Sequence, residues 1–175
     1  MQKILDDAVR EGRDLTSMGK TADYIPELGR VNKDYLGVCV FTKEGKRWQS
    51  GDSDVRFTIQ SISKVITLAV ALEKCGFEKV FARVGMEPSG DAFNSLIKLD
   101  LTSDHPFNPM INSGAIAVTN YLVSLVNFEE MLDFTKILCL DDKIVLDEKV
   151  YQSEMNHISR NKAIAAYMKE YKFVK

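Results

Sequence analysis

With 175 residues, 45% of them hydrophobic and 27% charged, the chain is long enough to bury a core and reads as one globular domain spanning 1–175. A formal net charge of −2 with no basic run excludes nucleic acid and anionic membrane as the main partner. No stretch approaches the roughly 18 apolar residues of a membrane span, and the acidic start Met1-Gln2-Lys3-Ile4-Leu5-Asp6-Asp7 is no signal peptide, so a cytoplasmic protein is expected.

Ile4, Leu5, Ala8 and Val9 recur at helical spacing and predict an opening amphipathic helix. A connector punctuated by Gly12, Gly19, Pro26 and Gly29 follows. Residues 35–41 predict a strand, Lys43-Glu44-Gly45-Lys46 a turn, and 47–50 a strand pairing back as a hairpin. Arg56-Phe57-Thr58-Ile59 reads as a short β-like stretch before an apolar helix that ends near Gly76. A short helix over 77–84 leads to a turn at Glu87-Pro88-Ser89-Gly90-Asp91, where glycine can reach positive φ. After a polar loop through Ser103-Asp104-His105-Pro106, a helix is predicted over 115–126. Asn127 and Glu130 form a capping-box pattern that opens the next helix, Asp141-Asp142-Lys143 breaks it, and a last helix covers about 163–172. One hairpin is marginal alone. The mixture fits part of a sheet-plus-helix fold whose further strands are expected from sequence not present here.

The residues most suggestive of chemistry are Gln60-Ser61-Ile62-Ser63-Lys64. A lysine three residues after a serine at a helix start puts amine and hydroxyl on one face. A serine nucleophile activated by a neutral lysine needs this arrangement. The S-x-x-K pattern occurs four times, at Ser17–Lys20, Ser61–Lys64, Ser95–Lys98 and Ser159–Lys162. Only the second has a β-like stretch before it and an apolar helix behind it to keep the amine dry. A plainer role competes, with Ser61 as a cap and Lys64 snorkelling to solvent. At the first turn Ser61 also lies near backbone N–H groups suited to an oxyanion. Asn112, at a helix entrance, suits either N-capping or hydrogen bonding to a small substrate. Tyr24 suits ring packing in a pre-proline loop, and Glu154 and Asn161 read locally as solvated surface. Cys39, Cys75 and Cys139 are odd in number and set among apolar neighbours, so reduced, buried thiols are expected. With two histidines and no C-x-x-C, no zinc site is expected.

Five segments in order carry more information than any one of them. Gly19-Lys20-Thr21-Ala22-Asp23-Tyr24-Ile25-Pro26-Glu27-Leu28, Gln60-Ser61-Ile62-Ser63-Lys64, Glu87-Pro88-Ser89-Gly90-Asp91-Ala92-Phe93-Asn94, Asn108-Pro109-Met110-Ile111-Asn112-Ser113-Gly114-Ala115-Ile116 and Tyr151-Gln152-Ser153-Glu154 together resemble the serine-dependent glutaminases. The resemblance runs from about residue 20 to 167. It implies an α+β, β-lactamase/transpeptidase-like fold, helix-rich with a small antiparallel sheet, of which this chain holds the N-terminal portion. The implied reaction is hydrolysis of L-glutamine to L-glutamate and ammonia through a serine acyl-enzyme. The resemblance implies Ser61 as nucleophile and Lys64 as base, with Tyr24, Gln60, Ser61, Asn112, Glu154 and Asn161 contacting glutamine. It implies no metal or organic cofactor, and a cytosolic homo-oligomer. The family's C-terminal tyrosines, glycine-rich K-S-G-type segment and remaining strands have no counterpart here. The alternatives left open are another S-x-x-K acyl-serine hydrolase of the penicillin-recognising type, and a non-catalytic remnant.

Overall fold

The computed structural model describes residues 1–90, 92 and 105–174. In chain order the elements are α1 (Gln2–Arg13), α2 (Pro26–Gly29), β1 (Gly37–Phe41), β2 (Arg47–Gly51), α3 (Ser63–Cys75), α4 (Phe77–Phe81), α5 (Asn112–Leu122), α6 (Phe128–Cys139), α7 (Glu148–Asn156) and α8 (Ser159–Glu170). They divide into two compact units: Met1–Thr58 with Asp147–His157, and Ile59–Leu146 with Ile158–Lys175.

The first unit is built on the hairpin. β1 and β2 pair antiparallel from Gly37 opposite Gly51 to Phe41 opposite Arg47. Strand alternation leaves Val38 and Val40 half-buried on one face and Cys39 and Phe41 exposed on the other. A two-stranded ribbon needs a packed partner, and α1 supplies it by burying Leu5 and Val9. Arg13 ties the ends together, donating to the Asp52 carboxylate at 2.7 Å and the Asp34 carbonyl at 3.1 Å. Pro26 occupies the first position of α2, where its missing N–H costs nothing. α2 packs on α7, which is capped by Asp147 accepting from the Val150 N–H at 3.1 Å.

The second unit has a helical core. Val70 and Ala71 of α3, Val80 of α4, Ala117, Val118 and Leu122 of α5, and Ile164 and Met168 of α8 are all buried in one cluster. Burial of each larger aliphatic side chain contributes about 1.5–3 kcal/mol. This packing sets α5 against both α3 and α8. The predicted capping box is present: the Glu130 N–H donates to Asn127 Oδ1 at 2.9 Å and the Asn127 N–H to Glu130 Oε2 at 2.8 Å.

Several expectations are corrected. Residues 56–59 form no strand: Phe57 is 77% exposed and Ile59 is helical in its backbone angles, because β-prone residues without a partner strand have no ladder to join. The connector holds structure, with Gly12 inside α1 and α2 at its far end. The turn expected over 87–91 ends outside the described residues; before it, the Gly85 N–H donates to the Pro106 carbonyl at 2.7 Å and the Glu87 N–H to the Phe107 carbonyl at 3.0 Å. Gly90 does not take positive φ. α5 starts three residues early, at Asn112, and ends at Leu122. Cys39 and Cys139 are exposed and Cys75 half-buried, all as free thiols. The Ser95–Lys98 pattern, Asp91 and Phe93-Asn94 of the third segment, and Ser103-Asp104 lie outside the described residues.

Candidate active site

Ser61 sits in a 3-10 turn, Gln60–Ile62, that runs directly into α3. Lys64 follows three residues later, as the second residue of α3. The turn is tight. Gln60 has φ 42°, a left-handed conformation that costs a non-glycine residue on the order of 1 kcal/mol. The Ser63 hydroxyl closes it by donating to the Gln60 carbonyl at 2.7 Å. The expected oxyanion donors are partly committed elsewhere, since the Ile62 N–H donates to the Ile59 carbonyl at 2.8 Å and the Ser63 N–H to the Gln60 and Ser61 carbonyls.

Lys64 is half-buried in the first turn of α3. Its Nζ donates to Asn112 Oδ1 at 2.7 Å and to the Met110 carbonyl at 3.0 Å. Loss of solvation holds the amine below the ordinary lysine range. An ammonium or amine hydrogen can only be given to an acceptor, so the oxygen of the Asn112 amide must face Lys64. The nitrogen of that amide then donates to Asn161 Oδ1 at 3.0 Å. Asn161 reaches this position because Ile164, one turn further along α8, is fully buried in the core. Asn112 is therefore not an N-cap: it is the first residue of α5, preceded by Ile111. The structure brings Lys64, Asn112 and Asn161 into one hydrogen-bonded chain, with Gln60 and Ser61 in the turn just before Lys64.

Tyr24 and Glu154 share the other unit. Tyr24 is 57% exposed, not packed as its pre-proline setting suggested. Desolvation, and then the negative charge of Glu154, push its phenol pKa up. Glu154, on α7, is half-buried, and among the described residues its shielded Oε2 has no hydrogen-bond partner. A shielded carboxylate oxygen without a donor is costly and favours an arriving cationic group. Among the described residues no group of three His, Cys, Asp or Glu is arranged to hold a metal ion, and no helix is long and apolar enough to cross a membrane.

Two contributors escaped the residue pattern: the Met110 carbonyl and Asn108, whose side chain organises the turn that carries it. Asn-Pro before Met110 was the available signal, since asparagine readily bonds the backbone two residues on.

Helix-rich and α+β, with a small antiparallel ribbon among the described residues, the fold is of the β-lactamase-like type. The sequence profile of the family described as Glutaminase matches residues 19–175; the chain belongs to the glutaminase family. Glutaminase 2 of Clostridium perfringens is 45% identical to it over 173 residues, 97% of this chain and 57% of that protein. A crystal structure of a probable glutaminase of Bacillus subtilis matches with a TM-score of 0.84 at 36% identity, covering 99% of this chain and 54% of that one. A probable glutaminase from Bacillus subtilis complexed with 6-diazo-5-oxo-L-norleucine gives a TM-score of 0.79 at 35% identity, over 99% of this chain and 52% of that one. The chain thus spans little more than half the length of the curated relatives it matches, 57% in the first case.

Proposed function

We propose that the protein hydrolyses the side-chain amide of L-glutamine to L-glutamate and ammonia through an acyl-enzyme on Ser61. The observation that carries this reading is the Lys64 amine: half-buried, depressed in pKa, bonded to the Asn112 and Met110 oxygens, and three residues beyond Ser61 at the start of α3. In the first half-reaction the Ser61 oxygen attacks the amide carbon while its proton passes to Lys64. Collapse of the tetrahedral intermediate breaks the C–N bond, and the same proton leaves on ammonia. Water then attacks the ester, giving a proton to Lys64 that returns to Ser61 as glutamate departs.

Gln60, Asn112 and Asn161 are assigned to the substrate's polar groups, the two asparagine amides suiting a carboxylate. Tyr24 and Glu154 form a pair suited to an ammonium group such as an amino acid carries, supported by the Glu154 oxygen that has no hydrogen-bond partner among the described residues. The 6-diazo-5-oxo-L-norleucine complex of the Bacillus subtilis relative supports an amino-acid ligand of glutamine's shape. No step calls for a metal or organic cofactor. Family resemblance further suggests a cytoplasmic homo-oligomer.

The deciding measurement is ammonia release from glutamine by this chain beside Ser61→Ala. Loss of at least about a thousandfold in the variant is expected for a removed nucleophile. Equal, background-level release by both chains would overturn the proposal, and labelling of Ser61 by a β-lactam without ammonia release would assign the site to penicillin-type acyl transfer instead.

A further inference from the structure

Lys64 can act as a base only if its lone pair is aimed, and what aims it begins at a residue outside the candidate set. A neutral lysine amine has two hydrogens and one lone pair. Hydrogens given to fixed oxygens hold the amine in one orientation, and with it the direction of the lone pair. One of those oxygens is Asn112 Oδ1, held from behind by Asn161. The other is the main-chain carbonyl of Met110, an exposed residue in a turn, where backbone is ordinarily mobile.

That turn is bolted by the Asn108 side chain. Asn108 Oδ1 accepts from the Met110 N–H at 2.9 Å and the Ile111 N–H at 3.2 Å, while its Nδ2 donates to the Glu87 carbonyl at 2.8 Å. Glu87 is in turn tied through its own N–H to the Phe107 carbonyl at 3.0 Å. From the other side the Asn108 backbone rests on α5 so closely that a Cβ on Gly114 would overlap its carbonyl oxygen. One amide thus joins the 85–87 segment, the turn and the start of α5.

We propose that Asn108 is a positioning residue for the Lys64 amine, acting by fixing the Met110 carbonyl that receives one of its hydrogens. The inference rests on Lys64 being the base of the proposed hydrolysis, but its physical content, an ordered amine, can be read without turnover.

The test is NMR relaxation of the Lys64 side-chain nitrogen in the full chain, in Asn108→Ala and in Asn108→Ser. Serine can still bond the backbone N–H two residues on, without introducing charge. The Lys64 order parameter is expected to fall into the flexible range, below about 0.6, in Asn108→Ala and to stay near its original value in Asn108→Ser. Asn127→Ala, which removes the α6 capping box, serves as the control for a merely structural loss and should leave the Lys64 order unchanged. Where glutamine turnover is measurable, Asn108→Ala should lower kcat about tenfold with KM held within about twofold. An unchanged Lys64 order parameter in Asn108→Ala overturns the inference, as does an equal fall in Asn127→Ala. Absence of turnover in the original chain would count against the proposed function alone, since the amine order is measured separately.

Discussion

An amine that leaves water loses solvation of its charged form, so Lys64 gives up its proton more readily than an exposed lysine. Between its lowered value and the ordinary one, the unfolded chain binds more protons than the folded chain. Lys64 therefore opposes folding at neutral pH, and this opposition fades as the pH rises toward the ordinary lysine value. Under the proposed hydrolysis the same sign holds: kcat/KM should rise with pH as Lys64 deprotonates, on a limb whose midpoint lies below the ordinary lysine value of about 10.4. A pH profile with that limb at the ordinary value would argue against a shielded base. Ser61 and Lys64 stand out in the sequence as a candidate pair because their residue types and three-residue spacing coincide. Asn161 and Glu154 were not legible locally, since a polar side chain on a helix looks the same whether it meets solvent or a neighbouring amide. The left-handed φ of Gln60 was equally hidden, because glutamine carries none of the signal that glycine or asparagine would.

At the level of elements, what was legible followed the strength of local chemistry. The Asn127–Glu130 box pairs two donors with two acceptors over four residues, and it is present as expected. The hairpin was readable from alternation and a turn, whereas 56–59 shares its composition but has no ladder. α7 was missed because the sequence EKVYQSEMN has no buried residue and so no apolar stripe. The early start of α5 reflects the Asn108 turn, which delivers the chain already helical at Asn112. Gly114 in that first turn is a site of conflicting effects. Alanine is favoured over glycine in a helix by about 1 kcal/mol, but its Cβ would overlap the Asn108 carbonyl, and overpacking against backbone costs up to about 3 kcal/mol. The overlap should win, so Gly114→Ala is expected to lower stability by about 2 kcal/mol net, read as a fall in the urea midpoint; an unchanged or raised midpoint would show that the turn yields cheaply.

At the level of the whole molecule, the boundaries near residues 58, 146 and 157 carry no shift in composition, which is why the sequence reads as one domain over 1–175. That reading has a direct test. Trp48, the single tryptophan, lies in β2 of the first unit, while α3, α5, α6 and α8 of the second contribute most of the helix signal. If the chain is one cooperative domain, urea unfolding followed by tryptophan fluorescence and by far-ultraviolet circular dichroism should give the same midpoint. Separated midpoints would make the units independent. The discontinuous first unit also has a consequence for biosynthesis. α2 leaves the ribosome early, yet its packing partner α7 is encoded only after α3 through α6. At translation speeds of about 5–20 residues per second, the nascent α2 waits on the order of ten seconds for the segment it packs against. Conditions that slow elongation through α3–α6 prolong that wait, and co-translational chaperones would find their substrate in that interval.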